Sequence, residues 1–176
     1  MSSLFIGRFQ PFHIGHLDAI QQALAQTSGT LFIGIGSSNE NYLPQNPFTT
    51  GERIQMIKAA LDENKISTDR YMIIPIPNIN NFELWPSHIE QYLPPFEKLF
   101  TCSNIVAELF ENTNKKRKNP YTIVKIKKNH RICSTDIRKA IINNKKWESM
   151  VPKSVQKLLK TWDAPNRLKS IQENPK

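Results

Sequence analysis

Two histidines, His13 and His16, lie three positions apart, directly after a short apolar segment and directly before a helical pattern. Imidazoles at positions i and i+3 of a helix start share one face, so both rings can face the same anion. Gly7 and Gly15 let the main chain approach a ligand without an intervening side chain, and Arg8 adds a positive charge. This combination predicts a turn that binds phosphate at the N-terminal end of a helix.

The common glycine-rich phosphate motifs do not describe this turn. The chain contains no G-x-x-x-x-G-K-[ST] segment, and "GIGSSN" at 34–39 lacks the third glycine of a dinucleotide-binding fingerprint. A zinc site that includes His13 and His16 is also disfavoured. The other histidines, His88 and His130, show no matching spacing, and no acidic residue is adjacent to the pair.

Strand-like and helix-like segments alternate along the chain. Short apolar runs bounded by turn residues predict strands at 2–9, 30–36, 71–77, 98–103 and 121–126. Helical patterns cover 15–27, 49–64, about 86–93, 104–110, 134–144 and 151–162. The clearest helix begins with Thr49 and Glu52, which have the types and spacing of a capping box. The alternation predicts an α/β fold, a Rossmann-like parallel sheet of about five strands with helices on both faces.

No internal repeat or linker interrupts this pattern. We therefore expect one domain over residues 1–163, followed by a polar C-terminal tail at 164–176 with about one helical turn. In sheets of this kind, ligands bind at the carboxyl ends of the strands, where the chain turns into a helix. The turn with His13 and His16 occupies that place after the first strand, so the phosphate site is expected there.

The composition is that of a folded globular domain, with 39% hydrophobic and 22% charged residues and a formal net charge of +9. No run of about 18 apolar residues predicts a membrane span, and the N-terminus lacks the features of a secretory signal. Cys102 and Cys133 have no paired or metal-binding spacing, which favours free thiols and a cytoplasmic location. The basic run "KKRK" at 115–118 is interpreted as a solvated loop, so neither nucleic acid nor membrane is expected as a partner.

Two motifs resemble those of the nucleotidyltransferases, relatives of the class I aminoacyl-tRNA synthetases. The fixed positions of the first motif, G-x-F-x-P-x-H-x-G-H, are filled by Gly7, Phe9, Pro11, His13, Gly15 and His16. The second motif, I-S-S-T-x-I-R, is matched by "ICSTDIR" at 132–138, with Cys133 in place of the first serine. Further segments, "NPFTTGER", "IIPIPNIN", "ELW", "LPPF" and "WESMVPKSV", are similar to the archaeal-type nicotinamide-nucleotide adenylyltransferases over nearly the full chain.

This resemblance implies a nucleotidyltransferase fold and a reaction. The reaction would transfer the AMP moiety of ATP to nicotinamide mononucleotide (NMN), giving NAD and pyrophosphate. The resemblance also implies Mg²⁺ that is carried by ATP and not by protein side chains, and a homo-oligomer that is often a hexamer.

The resemblance also assigns roles by position. The catalytic residues would be Arg8, His13, His16 and Arg138. The ATP-binding residues would be Gly7, Arg8, Phe9, His13, Gly15, His16, Ser134, Thr135 and Arg138. The NMN-binding residues would be Ser37, Arg53, Ile79 and Trp85. We expect Ser134 and Thr135 to cap a helix beside the phosphates, with Arg138 one turn further along.

Several alternatives remain open from the sequence. Arg53 could instead form an ion pair on a helix surface, and Trp85 could be a core residue. The function could be that of another nucleotidyltransferase acting on FMN, pantetheine phosphate or glycerol phosphate, of a nucleotide sensor, or of a nucleic-acid-binding module. The chain departs from the family at Cys102, where a glycine is usual, and at Phe82, where an asparagine is usual.

Overall fold

The computed structural model describes residues 1–173 and contains one sheet of five parallel strands. The strands are β1 (Ser3–Gly7), β2 (Leu31–Ile35), β3 (Tyr71–Pro75), β4 (Lys98–Thr101) and β5 (Thr122–Lys125). Their order across the sheet is β3-β2-β1-β4-β5, and neighbouring strands are parallel throughout. The predicted α/β fold with a five-stranded parallel sheet is confirmed.

Within residues 1–173, seven helices connect and cover the strands. They are α1 (Ile14–Ala25), α2 (Thr50–Glu63), α3 (Trp85–Tyr92), α4 (Asn104–Asn114), α5 (Ser134–Ile142), α6 (Lys153–Thr161) and α7 (Ala164–Glu173). Single 3-10 turns lie at Thr68–Arg70 and Glu148–Met150. The predicted capping box is present at α2. The Thr49 hydroxyl accepts from the Glu52 N–H at 3.2 Å, and the Glu52 carboxylate accepts from the Thr49 N–H at 2.8 Å.

Successive residues of each strand contribute to two separate hydrophobic clusters. In β1, Leu4 belongs to one cluster and Phe5 to the other, as the alternation of side chains along a strand requires. The Phe5 cluster includes buried residues of α1, α2, α5, α6 and α7, and the Leu4 cluster includes Ile89 of α3 and Phe110 of α4. The helices therefore cover both faces of the sheet, as predicted.

The strand order reverses at the centre of the sheet. From β1 the chain continues outward through β2 to β3, and it then crosses to the other side of β1 to form β4 and β5. In open parallel sheets, the crevice at such a reversal is where ligands bind. A ligand site is therefore expected between the carboxyl ends of β1 and β4, which are Gly7 and Thr101.

The segment after Asp163 is more ordered than the sequence suggested. Instead of about one helical turn, α7 extends for 10 residues. Its Ala164 and Leu168 side chains are buried, and the helix packs against α5 and α6. Residues 174–176 of the predicted tail lie outside the described residues, and the domain limit at 163 stays a prediction.

Arg117 of the basic run at 115–118 is also more than a solvated charge. Its guanidinium forms an ion pair with Glu90, and it lies over the Tyr121 ring at 4.2 Å from the centroid. The loop is therefore docked onto the domain at this residue. Within residues 1–173, no helix is both long and apolar enough to cross a membrane.

Candidate active site

A cavity of about 580 Å³ opens at the point where the strand order reverses. Its walls come from the end of β1, the start of α1, the end of β4 and the segment that leads into α5. The structure brings together here all nine residues assigned to ATP: Gly7, Arg8, Phe9, His13, Gly15, His16, Ser134, Thr135 and Arg138. Two motifs that are more than 100 residues apart in the chain thus form one site.

His13 and His16 hold each other in place at the start of α1. His13 is the N-cap residue, and its Nδ1 accepts from the His16 N–H at 3.3 Å. In return, the Nδ1 of His16 accepts from the His13 N–H, also at 3.3 Å. The two rings stack with their centroids 3.6 Å apart, and the Phe9 ring packs edge-on against His16. This is a capping box in which both side chains are imidazoles.

Burial is the main determinant of the protonation state of the two rings. Burial lowers the pKa of His13 from 6.5 to about 4, with a smaller contribution from His130. Burial also lowers the pKa of His16 well below its ordinary value, and His13 adds to the effect. Both rings are therefore neutral at pH 7. Because each Nδ1 accepts a main-chain N–H, each ring carries its proton on Nε2, so both histidines are neutral hydrogen-bond donors.

Two glycines allow this packing. A Cβ atom added to Gly15 would lie 3.1 Å from the His13 ring, and one added to Gly7 would lie 3.1 Å from the Phe9 ring. Either contact would require the aromatic ring to shift by a few tenths of an ångström. Phe9 itself is fully buried, adopts a positive φ of 54° and packs edge-on against the His16 ring at 4.8 Å between centroids.

The second motif enters the cavity differently from the sequence prediction. The N-cap residue of α5 is Cys133, and Ser134 and Thr135 lie in the first turn, so the expected cap by Ser134 or Thr135 is wrong. The reason is that both hydroxyls have other partners. The Ser134 hydroxyl donates to the Pro11 carbonyl at 3.0 Å, and the Thr135 hydroxyl accepts from the Arg138 guanidinium at 3.3 Å. The Cys133 thiol donates to the Asp136 carboxylate at 3.0 Å.

Arg138 connects the two motifs. Its Nη1 donates to the Gln10 carbonyl at 2.7 Å, and burial, followed by the nearby Arg8 cation, lowers its pKa. The Gln10 side chain in turn exchanges two hydrogen bonds of 2.9 Å with the main chain of Phe48. Only part of the Arg138 fork is used in these contacts, and the remaining N–H groups can serve an anion in the cavity.

Arg53 is buried, and the alternative of a helix-surface ion pair is wrong. The residue is 0% exposed and, among the described residues, no carboxylate lies within ion-pair distance of it. Its guanidinium donates to the carbonyls of Arg8, Gly36 and Ser37 at 3.2, 2.8 and 3.1 Å. Burial lowers its pKa to about 10, so it stays charged at pH 7. Arg53 thus ties together the loops that follow β1 and β2.

Comparisons with known proteins agree with this geometry. Residues 4–140 match the cytidylyltransferase-like family. The chain is 38% identical over 174 residues to the nicotinamide-nucleotide adenylyltransferase of Pyrococcus furiosus, an alignment that covers 97% of this chain and 89% of that protein. This chain belongs to the nicotinamide-nucleotide adenylyltransferase family. It is also 36% identical to the Archaeoglobus fulgidus member, with 97% of each chain covered.

A solved structure outside the archaeal proteins has the same fold as this family member. It is a bifunctional NMN adenylyltransferase/ADP ribose pyrophosphatase from Francisella tularensis, which superposes with a TM-score of 0.78 at 23% identity. The alignment covers 96% of this chain and 52% of that one, so this chain spans about half the length of the bifunctional protein. The Francisella protein has also been solved with AMP and a manganese ion, with a TM-score of 0.75.

The four residues assigned to NMN do not line the cavity that holds the ATP residues. Ser37 follows β2 and Ile79 follows β3, so they lie at the same edge of the sheet but beside other strands. The loops after these strands are joined by the Glu40 carboxylate, which accepts from Asn78 at 2.7 Å and from Asn46 at 2.6 Å. Their role toward NMN stays a prediction.

Trp85 lies at the first position of α3 and is half-buried. It packs against the Leu4 cluster, with its ring edge-on to Phe110 at 6.2 Å between centroids. The core alternative therefore has direct structural support. Phe82 lies three residues earlier and is 71% exposed.

Sequence reasoning missed the segment 127–131, "KKNHR", which forms one wall of the cavity. This wall contains three cationic residues, Lys127, Lys128 and Arg131. A signal was available, because the segment lies between the carboxyl end of β5 and the second motif. The sequence analysis also missed Asp18 of α1, which lines the cavity. Cys102 lines the cavity as well, and burial raises the pKa of its thiol.

Proposed function

We propose that this chain transfers the AMP moiety of ATP to NMN and releases pyrophosphate, so that it synthesises NAD. The observation that carries the proposal is the pair of neutral, stacked histidines in a cavity of about 580 Å³ between β1 and β4. The volume is in the range of small-molecule sites, roughly 300–1,000 Å³. The 38% identity to a nicotinamide-nucleotide adenylyltransferase supports NMN as the acceptor.

The chemistry fits direct displacement on the α-phosphorus of ATP. The 5′-phosphate of NMN is ionised at pH 7, so it attacks without a general base and the P–O bond to pyrophosphate breaks in line. The protein then acts by positioning both substrates and by stabilising charge. His13 and His16 suit that role, because neutral Nε2–H donors stabilise the developing negative charge without losing a proton.

Different groups at the cavity are suited to bind different phosphates of ATP. Arg8 is exposed and follows the carboxyl end of β1, whereas Arg138 is a buried residue of α5. The N-terminal ends of α1 and α5 both lie at the cavity and add their partial positive charge. We assign His13 and His16 to the α-phosphate, and Arg138 with Ser134 and Thr135 to the outer phosphates.

A divalent metal would enter with the nucleotide. Among residues 1–173 there is no group of three or more His, Cys, Asp or Glu residues that could hold a metal ion. Mg²⁺ commonly binds through substrate phosphates with few protein ligands, and the donor set here fits that mode. When bound, the ion would neutralise charge on the leaving pyrophosphate.

Two further assignments rest on the resemblance. We propose a homo-oligomer, with a hexamer as the expected state, which light scattering of the purified protein would measure. We also propose a cytoplasmic location, supported by the two free cysteines, Cys102 and Cys133.

The decisive experiment mixes purified protein with ATP, Mg²⁺ and NMN and measures NAD. One NAD and one pyrophosphate should form per ATP consumed. The same assay with nicotinic acid mononucleotide, FMN, pantetheine phosphate and glycerol phosphate would compare acceptors. Turnover that is faster with one of the last three acceptors than with NMN would overturn the proposal.

A further inference from the structure

The cationic wall of the cavity is held by an acidic residue. Asp18 lies one helical turn after the start of α1, and its carboxylate accepts from the Asn129 amide at 3.1 Å through each of its two oxygens. Gln22, one turn further along α1, donates to the same carboxylate at 2.8 Å and to the Lys127 carbonyl at 3.0 Å. We call Asp18, Gln22 and Asn129 the α1 clamp.

A carboxylate beside a polyphosphate site needs a physical reason, because it repels the ligand. No lysine or arginine among the described residues is within ion-pair distance of Asp18, and its hydrogen-bond donors are neutral amides. An ion pair with Lys127 or Lys128 would have cancelled the charge of one of those lysines. The amides fix the position of the carboxylate, so Lys127 and Lys128 keep their charge for binding a polyphosphate.

The clamp also determines where those cations lie. Lys127 is bonded through its own carbonyl, and Asn129 through its side chain, so the residues on either side of Lys128 are both attached to α1. Lys127, Lys128 and Arg131 all line the cavity. Lys128 lowers the pKa of the Cys102 thiol and Asp18 raises it, so both charges lie near the end of β4. The cationic wall is thereby held against the N-terminal half of α1, next to the histidines.

We propose that Asp18 is a positioning residue that, through the α1 clamp, holds Lys127, Lys128 and Arg131 against the β- and γ-phosphates of ATP and the leaving pyrophosphate. The inference rests on the proposed function, because it assigns the polyphosphate end of that site. It predicts the direction in which ATP affinity changes when the charge of Asp18 is removed. Removing a negative charge beside a polyanion should improve ATP binding by simple electrostatics, whereas loss of the clamp should weaken it.

The test is steady-state kinetics on the full chain with Asp18→Asn, which replaces one of the two acceptor oxygens with an NH2 donor that faces the donating amides of Gln22 and Asn129. We expect the KM for ATP to rise about tenfold, the inhibition constant of inorganic pyrophosphate to rise similarly, and the KM for NMN to change less than twofold. Gln22→Met, which breaks the clamp from its other side, should shift the same two constants in the same direction. Asp18→Glu, which keeps the carboxylate, should recover most of the loss.

The matched control is Asp62→Asn on the exposed last turn of α2, which removes the same charge far from the cavity and should leave all constants unchanged. Calorimetric titration of each protein with pyrophosphate gives a readout that needs no turnover, and circular dichroism confirms folding. An unchanged or lower KM for ATP in Asp18→Asn would overturn the inference. A large rise in the half-saturating Mg²⁺ concentration with unchanged pyrophosphate affinity would also overturn it, because it would indicate a metal-binding role. If the parent protein made no NAD at all, the proposed function itself would fail, and pyrophosphate titration would still decide the clamp.

Discussion

The buried His13 makes the stability of the protein depend on pH in a window that the structure defines. Its pKa is 6.5 in the unfolded chain and about 4 in the folded protein. Between these values the unfolded state binds more protons, so stability is present above pH 6.5 and is lost as the pH falls toward 4. The full loss below pH 4 is about 3 kcal/mol, and about 2 kcal/mol of it has occurred by pH 5.

The perturbation that isolates this effect is His13→Asn. Asparagine is a good N-cap residue whose side-chain oxygen can still accept the His16 N–H, but it does not titrate. Urea unfolding of both proteins at pH 7 and pH 5 gives four free energies. The parent should lose about 2 kcal/mol more than the variant between the two pH values, because the carboxylates titrate equally in both proteins and cancel.

The predicted difference between parent and variant requires His13 to be neutral and buried in the folded protein. Equal losses in parent and variant would refute it, as would a nuclear magnetic resonance titration of the His13 ring with a pKa near 6.5. Because His13 stacks on His16 and contributes to its lowered pKa, the His16 ring is titrated in both proteins and any change in its pKa is subtracted from the comparison.

Further predictions concern the reaction. His16→Ala should lower kcat by about 10²–10³ with a smaller change in the KM for NMN, since one preorganised donor is lost; a variant within threefold of the parent would mean that His16 is structural. Trp85→Ala should raise the KM for NMN more than that for ATP if the indole stacks on the pyridine ring, and should lower the melting temperature without that selectivity if it is only a core residue. Iodoacetamide should modify the exposed Cys133 before the half-buried Cys102, and ATP with Mg²⁺ should protect it. Cys133→Ser should stay active and resist inactivation, because serine can make the same bond to Asp136; loss of activity in that variant would contradict the alignment of the second motif. Mass spectrometry during turnover should find no adenylylated protein, and a stable adduct would exclude direct transfer.

The features that could be predicted from the sequence are those whose partners are close in the chain. Thr49 and Glu52 are three residues apart, and their reciprocal hydrogen bonds follow from that spacing. The sequence predicts a helix from Gly15, and α1 begins one residue earlier, at Ile14; the reciprocal hydrogen bonds of the two imidazoles have no recognised sequence pattern. The alternation of strand-like and helix-like segments is sufficient to predict the parallel sheet.

The errors concern side chains whose partners are far away in the chain. Ser134 bonds a carbonyl 123 residues earlier, so it is not available as the cap of its own helix. Arg53 looks like a surface residue of α2, but its partners are main-chain carbonyls of two loops, which have no signature in a sequence. Helix α7 has a polar sequence and is stabilised by burial of Ala164 and Leu168 rather than by intrinsic propensity.

The central position of β1 has a consequence for how the chain is made. During synthesis β1 can pair with β2 early, but its other edge has no partner until β4, at Lys98–Thr101, has emerged from the ribosome. An uncovered strand edge is a place where other chains can add, so the half-synthesised protein passes through an aggregation-prone stage. The cavity walls come from residues 5–19 and 101–138, so nucleotide cannot bind before that stage is over. ATP can therefore stabilise the finished domain by mass action, but it cannot protect the nascent one.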